Sequence, residues 1–346
     1  MRKWYETEAI NGNFVIYTRI CLSRNLKQFP FQDRMTDLQR QELNSMIQDC
    51  LKTIQMGENT FSFYLLRDLT EYQILQLSER HLVHPDITRQ YPFAMLAVTQ
   101  DDSISLLING EDHIQIQVLK SGMAFQEALT DANRIDNLLD ASFEIAFDEE
   151  FGYLTACPTN LGTGLRASAV LHLLALERTG VMATVMNTIG KLGMTIRPEN
   201  EKETEVADGL YQISNQITLG ISEELAIQNL TSILEQVMSR EQAARERMLQ
   251  QKALFEDTVW RSFGVLQNAR ILSEKECREL LSNLRIGIWA QLLPGITPAK
   301  INTLLMQTGT AEIAGAYPEE HGLQQKDMQR ACIVRKAMRM TEPAQS

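Results

Sequence analysis

Two short stretches of the chain combine residue types that could do chemistry. The first, INGEDH (108–113), places Glu111 in the bend of a predicted hairpin, where its carboxylate could act as a base or remain a solvated loop acid. The second, GYLTACPTNLGTGLRAS (152–168), predicts a strand, a Cys-Pro bend, a glycine-rich turn and a helix whose first turn carries Arg166. Glycines let the backbone approach a ligand closely, and a helix start with an arginine favours an anion.

The composition is that of a globular protein with an acidic balance. The chain has 346 residues, 44% of them hydrophobic, which is enough for a sizeable core and more than one domain. The formal net charge of −11 argues against nucleic acid or an anionic membrane as a partner. We find no secretory signal and no transmembrane candidate in the sequence. The five cysteines are scattered without metal-binding spacing, so we expect no protein-bound metal and a reducing, cytoplasmic location.

The elements that must position these residues alternate between short apolar runs and amphipathic segments. The predicted strands are 13–20, 61–66, 93–99, 103–108, 114–119, 142–146 and 211–219, and the predicted helices are 37–53, 70–82, 123–138 and 165–178. Several strands follow one another through hairpin-length links, which favours an antiparallel sheet over a βαβ array. The sequence therefore predicts an α+β fold with an antiparallel sheet flanked by helices.

The last third of the chain is predicted to be almost entirely helical. Ser222 precedes two glutamates, Ser273 begins a capping box, and Thr297 precedes a proline, so each is a predicted helix start. We expect an α+β domain over 1–222, a long linking helix over 223–256 and a helical C-terminal domain over 257–346.

Three ordered segments resemble the motifs of the ATP:guanidino phosphotransferases, the family that includes creatine and arginine kinases. CPTNLGTGLRAS (157–168) resembles the cysteine-loop signature, and INGEDHIQIQ (108–117) resembles the N-E-E-D-H-[LI]-R segment. VIYTRICLSRNL (15–26) resembles the S-x-R-x-R-x-x-R-N segment that binds nucleotide phosphates. The resemblance implies the guanidino kinase catalytic fold, with ATP and Mg²⁺ as cofactors.

Further segments resemble one branch of that family, the bacterial protein-arginine kinases. KDMQRA (326–331) is similar to their RDxxRA motif, and IGKLG (189–193) and YQISNQITLG (211–220) fit the same branch. The large N-terminal domain of phosphagen kinases does not precede the arginine motif, which disfavours a kinase of small guanidines. The resemblance implies phosphorylation of protein arginine side chains, which marks those proteins for a Clp-type protease.

The resemblance also implies roles for individual residues. Glu111 would be the catalytic carboxylate that holds the guanidinium and draws off a proton, and Cys157 would be the reactive cysteine that supports the guanidinium site. The expected ATP-binding residues are Thr18, Arg19, Cys21, His81, Gln115, Arg166, Ala167, Ser168, Ala169, Val170 and Arg197. The expected phosphoarginine pocket consists of Lys326, Asp327, Arg330 and Ala331, for which an ordinary helical i, i+3 charge pair is the alternative.

The chain departs from the family motifs at several of these positions. Gly110 stands where the family has a second glutamate, and Cys21 and Gln115 stand where it has arginines. The family's G-x-Y-G-E-G loop is replaced by an acidic run over 198–205, in which Glu201 or Glu203 could substitute for the loop carboxylate, although a solvated charge run is the preferred interpretation.

Two functions remain open from the sequence. One is a MgATP-dependent protein-arginine kinase, and the other is a catalytically weakened or inactive relative that acts as a regulatory or phosphoarginine-binding protein. The resemblance implies protein substrates with exposed arginines, Clp-type protease machinery and an activator protein as partners, and leaves homodimerisation open.

Overall fold

An eight-stranded sheet lies at the centre of the structure, a computed structural model that describes residues 1–53, 59–199, 208–316 and 322–339. The described strands are β1 (Val15–Arg24), β2 (Phe61–Leu65), β3 (Met95–Thr99), β4 (Ile104–Ile108), β5 (Ile114–Ser121), β6 (Phe147–Asp148), β7 (Gly152–Tyr153), β8 (Leu165–His172), β9 (Met194–Pro198) and β10 (Leu210–Asn215). β6 and β7 form a separate hairpin, and the others form one sheet in the order β2-β3-β4-β5-β1-β8-β10-β9. All its neighbouring strands are antiparallel, which confirms the predicted fold class.

Helices cover one face of this sheet and form the last third of the chain. They are α1 (Asp37–Lys52), α2 (Glu71–Glu79), α3 (Ile87–Gln90), α4 (Phe125–Ser142), α5 (Leu174–Arg178), α6 (Met182–Lys191), α7 (Glu223–Gln250), α8 (Lys252–Asn268), α9 (Glu274–Trp289), α10 (Pro298–Gln307), α11 (Thr310–Ala316) and α12 (Leu323–Arg339). α4 packs on β1 and β5 because Ala128, Ala132, Ile135 and Leu139 recur at helical spacing on one buried face. α11 contacts α2, so the helical last third touches the sheet-containing part. Among the described helices, none is both long and apolar enough to cross a bilayer.

The sheet has two chemically different faces because successive side chains of a strand point in opposite directions. One face carries apolar residues such as Ile20 and Ala167, which join the main hydrophobic core beneath the helices. The other face carries polar residues in cross-strand register, with Arg19 directly opposite Ser168. The candidate site residues of β1 and β8 that could reach a ligand therefore lie on this polar face.

The segment 165–178 is not the helix that the sequence predicts. Its first eight residues form β8, which lies between β1 and β10, and the helix α5 begins only at Leu174. Pairing with strands on both sides overrides the helix preference of the leucines and alanines in this segment. Arg166 therefore stands on a central strand, and the prediction that a helix N-terminus contributes to an anion site here is wrong.

Two further predicted elements differ from the observed ones. The predicted strand 142–146 is wrong, since α4 continues to Ser142 and Ile145 forms an isolated bridge with Leu26. The long helix predicted over 223–256 is two helices, because α7 ends at Gln250 and α8 begins at Lys252. β9 and α6 have no counterpart among the predicted elements.

The remaining predicted strands and helices overlap observed elements, and the predicted helix starts are confirmed. The side-chain oxygens of Ser222, Ser273 and Thr297 each accept a hydrogen bond from the N–H three residues later. Each of these bonds satisfies a backbone donor that the first helical turn leaves unpaired. The division into domains at 222 and 256 stays a prediction.

Candidate active site

The bend between β4 and β5 exposes Glu111 and buries the residues around it. Asn109 has a left-handed backbone conformation, with φ at 58°, and its side-chain amide donates to the Asn44 side chain at 2.9 Å. His113 is fully buried and accepts the Leu26 N–H at its Nδ1 atom (3.0 Å), so its role is structural. A bend fixed on both sides holds its one exposed carboxylate in a defined position.

Asp112 connects this bend to the segment that carries Cys157. Its Oδ1 atom accepts hydrogen bonds from the Asn25 side-chain amide and from the Ala156 N–H, both at 2.7 Å. Glu111 directly precedes Asp112 in the sequence, and Cys157 directly follows Ala156. The Cys157 sulfur is partly exposed and lies 3.0 Å from the Thr159 hydroxyl. The fold thus brings together the two residues that the family resemblance predicts to be catalytic.

The electrostatic environment of Glu111 suits a base. Partial burial, and to a smaller degree the neighbouring Asp112, raise the pKa of Glu111, while the guanidinium of Arg166 opposes this change. Burial raises the pKa of the Tyr91 hydroxyl, and the charges of Glu111, Asp112 and Cys157 raise it further. Tyr91 therefore lies near these three residues. A glutamate with a raised pKa binds a proton more strongly than an ordinary one, which favours general-base chemistry near neutral pH.

Arg166 lies next to this group on the polar face of the sheet. It pairs with Cys21 across β1 and β8, and its guanidinium donates to the Asn160 side chain at 3.1 Å and to the Asn215 carbonyl at 3.2 Å. The positive charge of Arg166 acts on both Cys21 and Glu111. Arg166 is therefore close to the Glu111 carboxylate as well as to the polar face of the sheet.

Arg19 lies on the same face of β1 as Cys21, two residues before it, and has a nitrogen available to bind an anion. Its terminal nitrogen donates to the Tyr17 hydroxyl at 3.3 Å, but its buried Nε atom has no hydrogen-bond partner. An unpaired buried donor is costly, and a phosphate oxygen would relieve that cost. This observation shows that the residues present fit a nucleotide phosphate.

His81 and Tyr17 form an aromatic pair beside Arg19, with ring centroids 4.9 Å apart. Burial, followed by the charges of Arg19 and Arg278, lowers the pKa of His81 to about 3. The imidazole is therefore neutral at physiological pH. Tyr17 is buried, so the partly exposed imidazole of His81 is the neutral aromatic group beside Arg19 that suits the apolar end of a nucleotide.

Comparison with known proteins agrees with this geometry. The model of the ATP:guanido phosphotransferase C-terminal catalytic domain matches residues 42–244, and that of the protein-arginine kinase McsB C-terminal domain matches residues 251–346. This chain belongs to the ATP:guanido phosphotransferase family. The protein-arginine kinase of Clostridium acetobutylicum is 35% identical over 340 residues, covering 98% of this chain and 100% of that one. The protein-arginine kinase of Clostridium novyi is 37% identical over 344 residues, covering 99% and 100%.

Solved structures of guanidino kinases share the fold. Lombricine kinase aligns with a TM-score of 0.58 at 24% identity, over 68% of each chain. The duplicated taurocyamine kinase from Schistosoma mansoni, with bound transition-state analogue components, aligns with a TM-score of 0.59 at 25% identity, over 68% of this chain and 35% of that one. The family's catalytic fold is therefore present in this chain.

Other residues predicted from the ATP:guanido phosphotransferase motifs are arranged less favourably. The side chains of Thr18, Ala167 and Ala169 point to the core face, and the Thr18 hydroxyl donates to the Gly122 carbonyl at 2.7 Å. These three side chains therefore do not reach the polar face. Val170 lies on that face but packs against Tyr17 in a small hydrophobic cluster.

The two positions where the family has arginines lie on the polar face. Cys21 is buried and its sulfur is 3.8 Å from the Gln117 side-chain oxygen, while Gln115 lies opposite Ser23. Arg197 lies on β9, where its guanidinium is exposed and 3.5 Å from the Gln212 side-chain oxygen. Glu201 and Glu203 lie outside the residues that the structure describes.

The predicted phosphoarginine pocket on α12 does not present its arginine to solvent. Arg330 is fully buried and donates to the carbonyls of Thr308 and Leu272, to the Thr310 hydroxyl and to the Asp327 carboxylate. Lys326 is also buried, with its ammonium over the Tyr72 ring, and Ala331 is 1% exposed. The i, i+3 pair with Asp327 is present, and the other three acceptors join α12 to neighbouring segments. The phosphoarginine pocket stays a prediction.

The sequence missed three residues that organise the site. Asn25 and Asp112 were inside quoted motifs, and a polar residue beside a predicted catalytic residue in a bend is a usable signal for a positioning role. Tyr17 lies two residues before Arg19 on the same strand face, so the alternation of β1 could have placed its hydroxyl beside that arginine.

Proposed function

We propose that this protein transfers the γ-phosphoryl group of MgATP to arginine side chains of protein substrates. The observation that supports this most directly is the hydrogen bond between Asp112 and Ala156, since these two residues directly adjoin Glu111 and Cys157 in the sequence. Its near relatives are protein-arginine kinases by name, and they match nearly the whole chain.

Each described group has a defined task in this proposal. Glu111 orients the substrate guanidinium and accepts its proton, since a protonated guanidinium is a poor nucleophile. Arg19 and Arg166 hold the phosphates, His81 contacts the rest of the nucleotide, and the buried Tyr17 supports His81 and Arg19 from below. Mg²⁺ neutralises charge on the β- and γ-phosphates when bound, and it commonly uses phosphate oxygens and water rather than many protein ligands. The described residues contain no group of three or more His, Cys, Asp or Glu side chains placed to bind a metal.

The family resemblance extends the proposal to partners. Phosphorylated proteins would pass to Clp-type protease machinery in the cytoplasm, with an activator protein and a homodimer as further features of the system. The second candidate function, a catalytically weakened regulatory protein, is favoured by the replacements Gly110, Cys21 and Gln115.

The test is phosphorylation of an arginine-rich acceptor protein with γ-labelled MgATP, read as acid-labile label. Glu111→Gln removes the base at an exposed position, and Glu149→Gln, in the exposed turn between β6 and β7, is the matched control. Label with the wild type and with Glu149→Gln, but not with Glu111→Gln, supports the kinase. Nucleotide binding without label from the wild type would favour the regulatory function instead.

A further inference from the structure

A carboxylate that the sequence did not assign lies inside the candidate nucleotide site. Glu199 follows β9, and its Oε1 atom accepts a hydrogen bond from the Tyr17 hydroxyl at 3.2 Å and lies 3.5 Å from His81 Nε2. Only 11% of its side chain is exposed. The charge of Glu199 also acts on Arg19, the phosphate-binding candidate. Three residues of the proposed nucleotide site thus surround one internal anion.

An arginine from the helical last third of the chain holds this carboxylate in place. Arg278 on α9 donates from its Nε atom to Asp208 at 2.8 Å and from a terminal nitrogen to Glu199 at 3.4 Å. The arginine side chain is 16% exposed, so the ion pairs are largely shielded from water. Both partner carboxylates come from the sheet-containing part of the protein, which makes Arg278 a link between the two parts.

A buried anion at this position opposes the binding of a polyphosphate. Like charges repel most strongly where water is excluded, and the Tyr17 hydroxyl already joins Glu199 to Arg19, the residue that would hold a phosphate. We propose that Glu199 is an internal competitor of the nucleotide phosphates. MgATP must displace the Glu199 carboxylate from Tyr17 and His81, and thereby from Arg278. This inference rests on the proposed function, because it takes Arg19 and His81 as nucleotide-binding residues.

The test compares the binding of MgATP and of adenosine to the wild type and to Glu199→Gln by calorimetry. Adenosine carries no phosphate, so it reports steric changes without the charge. Removing the carboxylate is expected to tighten MgATP binding about tenfold, equivalent to about 1.4 kcal/mol, and to change adenosine binding by less than about twofold. Glu276→Gln, on an exposed position of the same helix as Arg278, removes an equal charge from the chain and should leave both affinities unchanged. Glu199→Ala gives a second route if the amide of the glutamine variant disturbs folding.

Several outcomes would overturn the inference. These are unchanged MgATP affinity in both Glu199 variants, equal tightening of MgATP and adenosine, and weaker MgATP binding, which would make Glu199 a ligand of the nucleotide. Binding is measured without phosphoryl transfer, so the two proposals fail separately. If the wild type labels its acceptor and the Glu199 variants bind MgATP with wild-type affinity, the inference is refuted and the proposed function stands. Wild type and variants that all fail to bind MgATP remove the proposed function as well.

Discussion

Replacing Asp112 tests whether the active-site geometry depends on one buried carboxylate. Asp112 is 3% exposed, and its Oδ1 atom accepts from the Asn25 side chain and from the Ala156 N–H. Asp112→Ala removes both bonds and leaves two inward-facing donors without this acceptor. The segment that carries Cys157 then loses its direct connection to the bend that carries Glu111.

The magnitude follows from the number and type of bonds lost. A hydrogen bond to an ionised group contributes about 1.5–3 kcal/mol, so two give a loss of stability of about 3–6 kcal/mol. A misplacement of about 1 Å between reacting groups can cost about 100-fold in rate, and we expect a loss of that order in arginine phosphorylation. Nucleotide binding should change little, since the hydrogen bonds of Asp112 go to Asn25 and Ala156 and not to Arg19 or His81.

Thermal unfolding and acceptor phosphorylation below the unfolding temperature measure the two effects separately. The matched control is Asp148→Ala, because Asp148 Oδ1 also accepts two hydrogen bonds, here both from backbone N–H groups at 2.8 and 3.0 Å, but in an exposed turn where water can replace it. Surface substitutions of that kind usually cost about 0.5 kcal/mol or less. If Asp112→Ala unfolds at the same temperature as Asp148→Ala and keeps the wild-type rate, the reasoning is refuted.

Three other perturbations probe the same architecture. Because burial and Asp112 raise the pKa of Glu111 and the base must be ionised, the transfer rate should fall on acidification at a higher pH than for an ordinary glutamate, and a flat rate–pH profile would contradict this. Gly110→Glu should fold normally, because its Cβ would meet the flexible end of Leu107 at 2.9 Å, and should raise the rate by on the order of 100-fold; an inactive but folded variant would count against the role of this position. Arg24→Met should destabilise the protein by about 3–5 kcal/mol, because it leaves Asp136 without its bidentate partner, and an unchanged unfolding temperature would show the pair to be dispensable.

Local patterns predicted the fold class and most strands, and they failed where tertiary pairing decides. The strand β5 alternates apolar and polar residues, so its period of two was readable. The strand β8 reads LRASAVLH, in which small and apolar residues follow one another because both of its edges are paired and both of its faces are almost entirely buried. No single-segment pattern separates such a strand from a helix, since the deciding contacts come from β1 and β10.

The candidate site was predictable to the extent that its residues lie in contiguous motifs. The family resemblance pointed to Glu111, Cys157 and Arg166, which the fold brings close together. Glu199 belongs to the run that the sequence predicts to be solvated, but Tyr17 and Arg278, which are far away in the sequence, bury it. Arg330 lies in a motif that predicts a ligand pocket, and its donors to Thr308 and Leu272 come from tertiary packing that no single segment of the sequence reveals.

We expect the replacements on the polar face to affect phosphoryl transfer more than nucleotide binding. Arg19 and Arg166 remain, whereas two arginines implied by the family motifs are Cys21 and Gln115, and each lost charged hydrogen bond is worth about 1.5–3 kcal/mol. Two such losses correspond to about 10²–10⁴-fold in transition-state stabilisation, while the remaining arginines still provide donors to the bound nucleotide. Cys21 lies directly opposite Arg166, so Cys21→Arg would place a second cation beside the first. This substitution tests the binding of phosphate and not the carboxylates. If Gly110→Glu alone restores fast transfer, the deficit lies in the carboxylates. If the rate recovers only when Cys21→Arg is added, the deficit lies in the phosphate clamp.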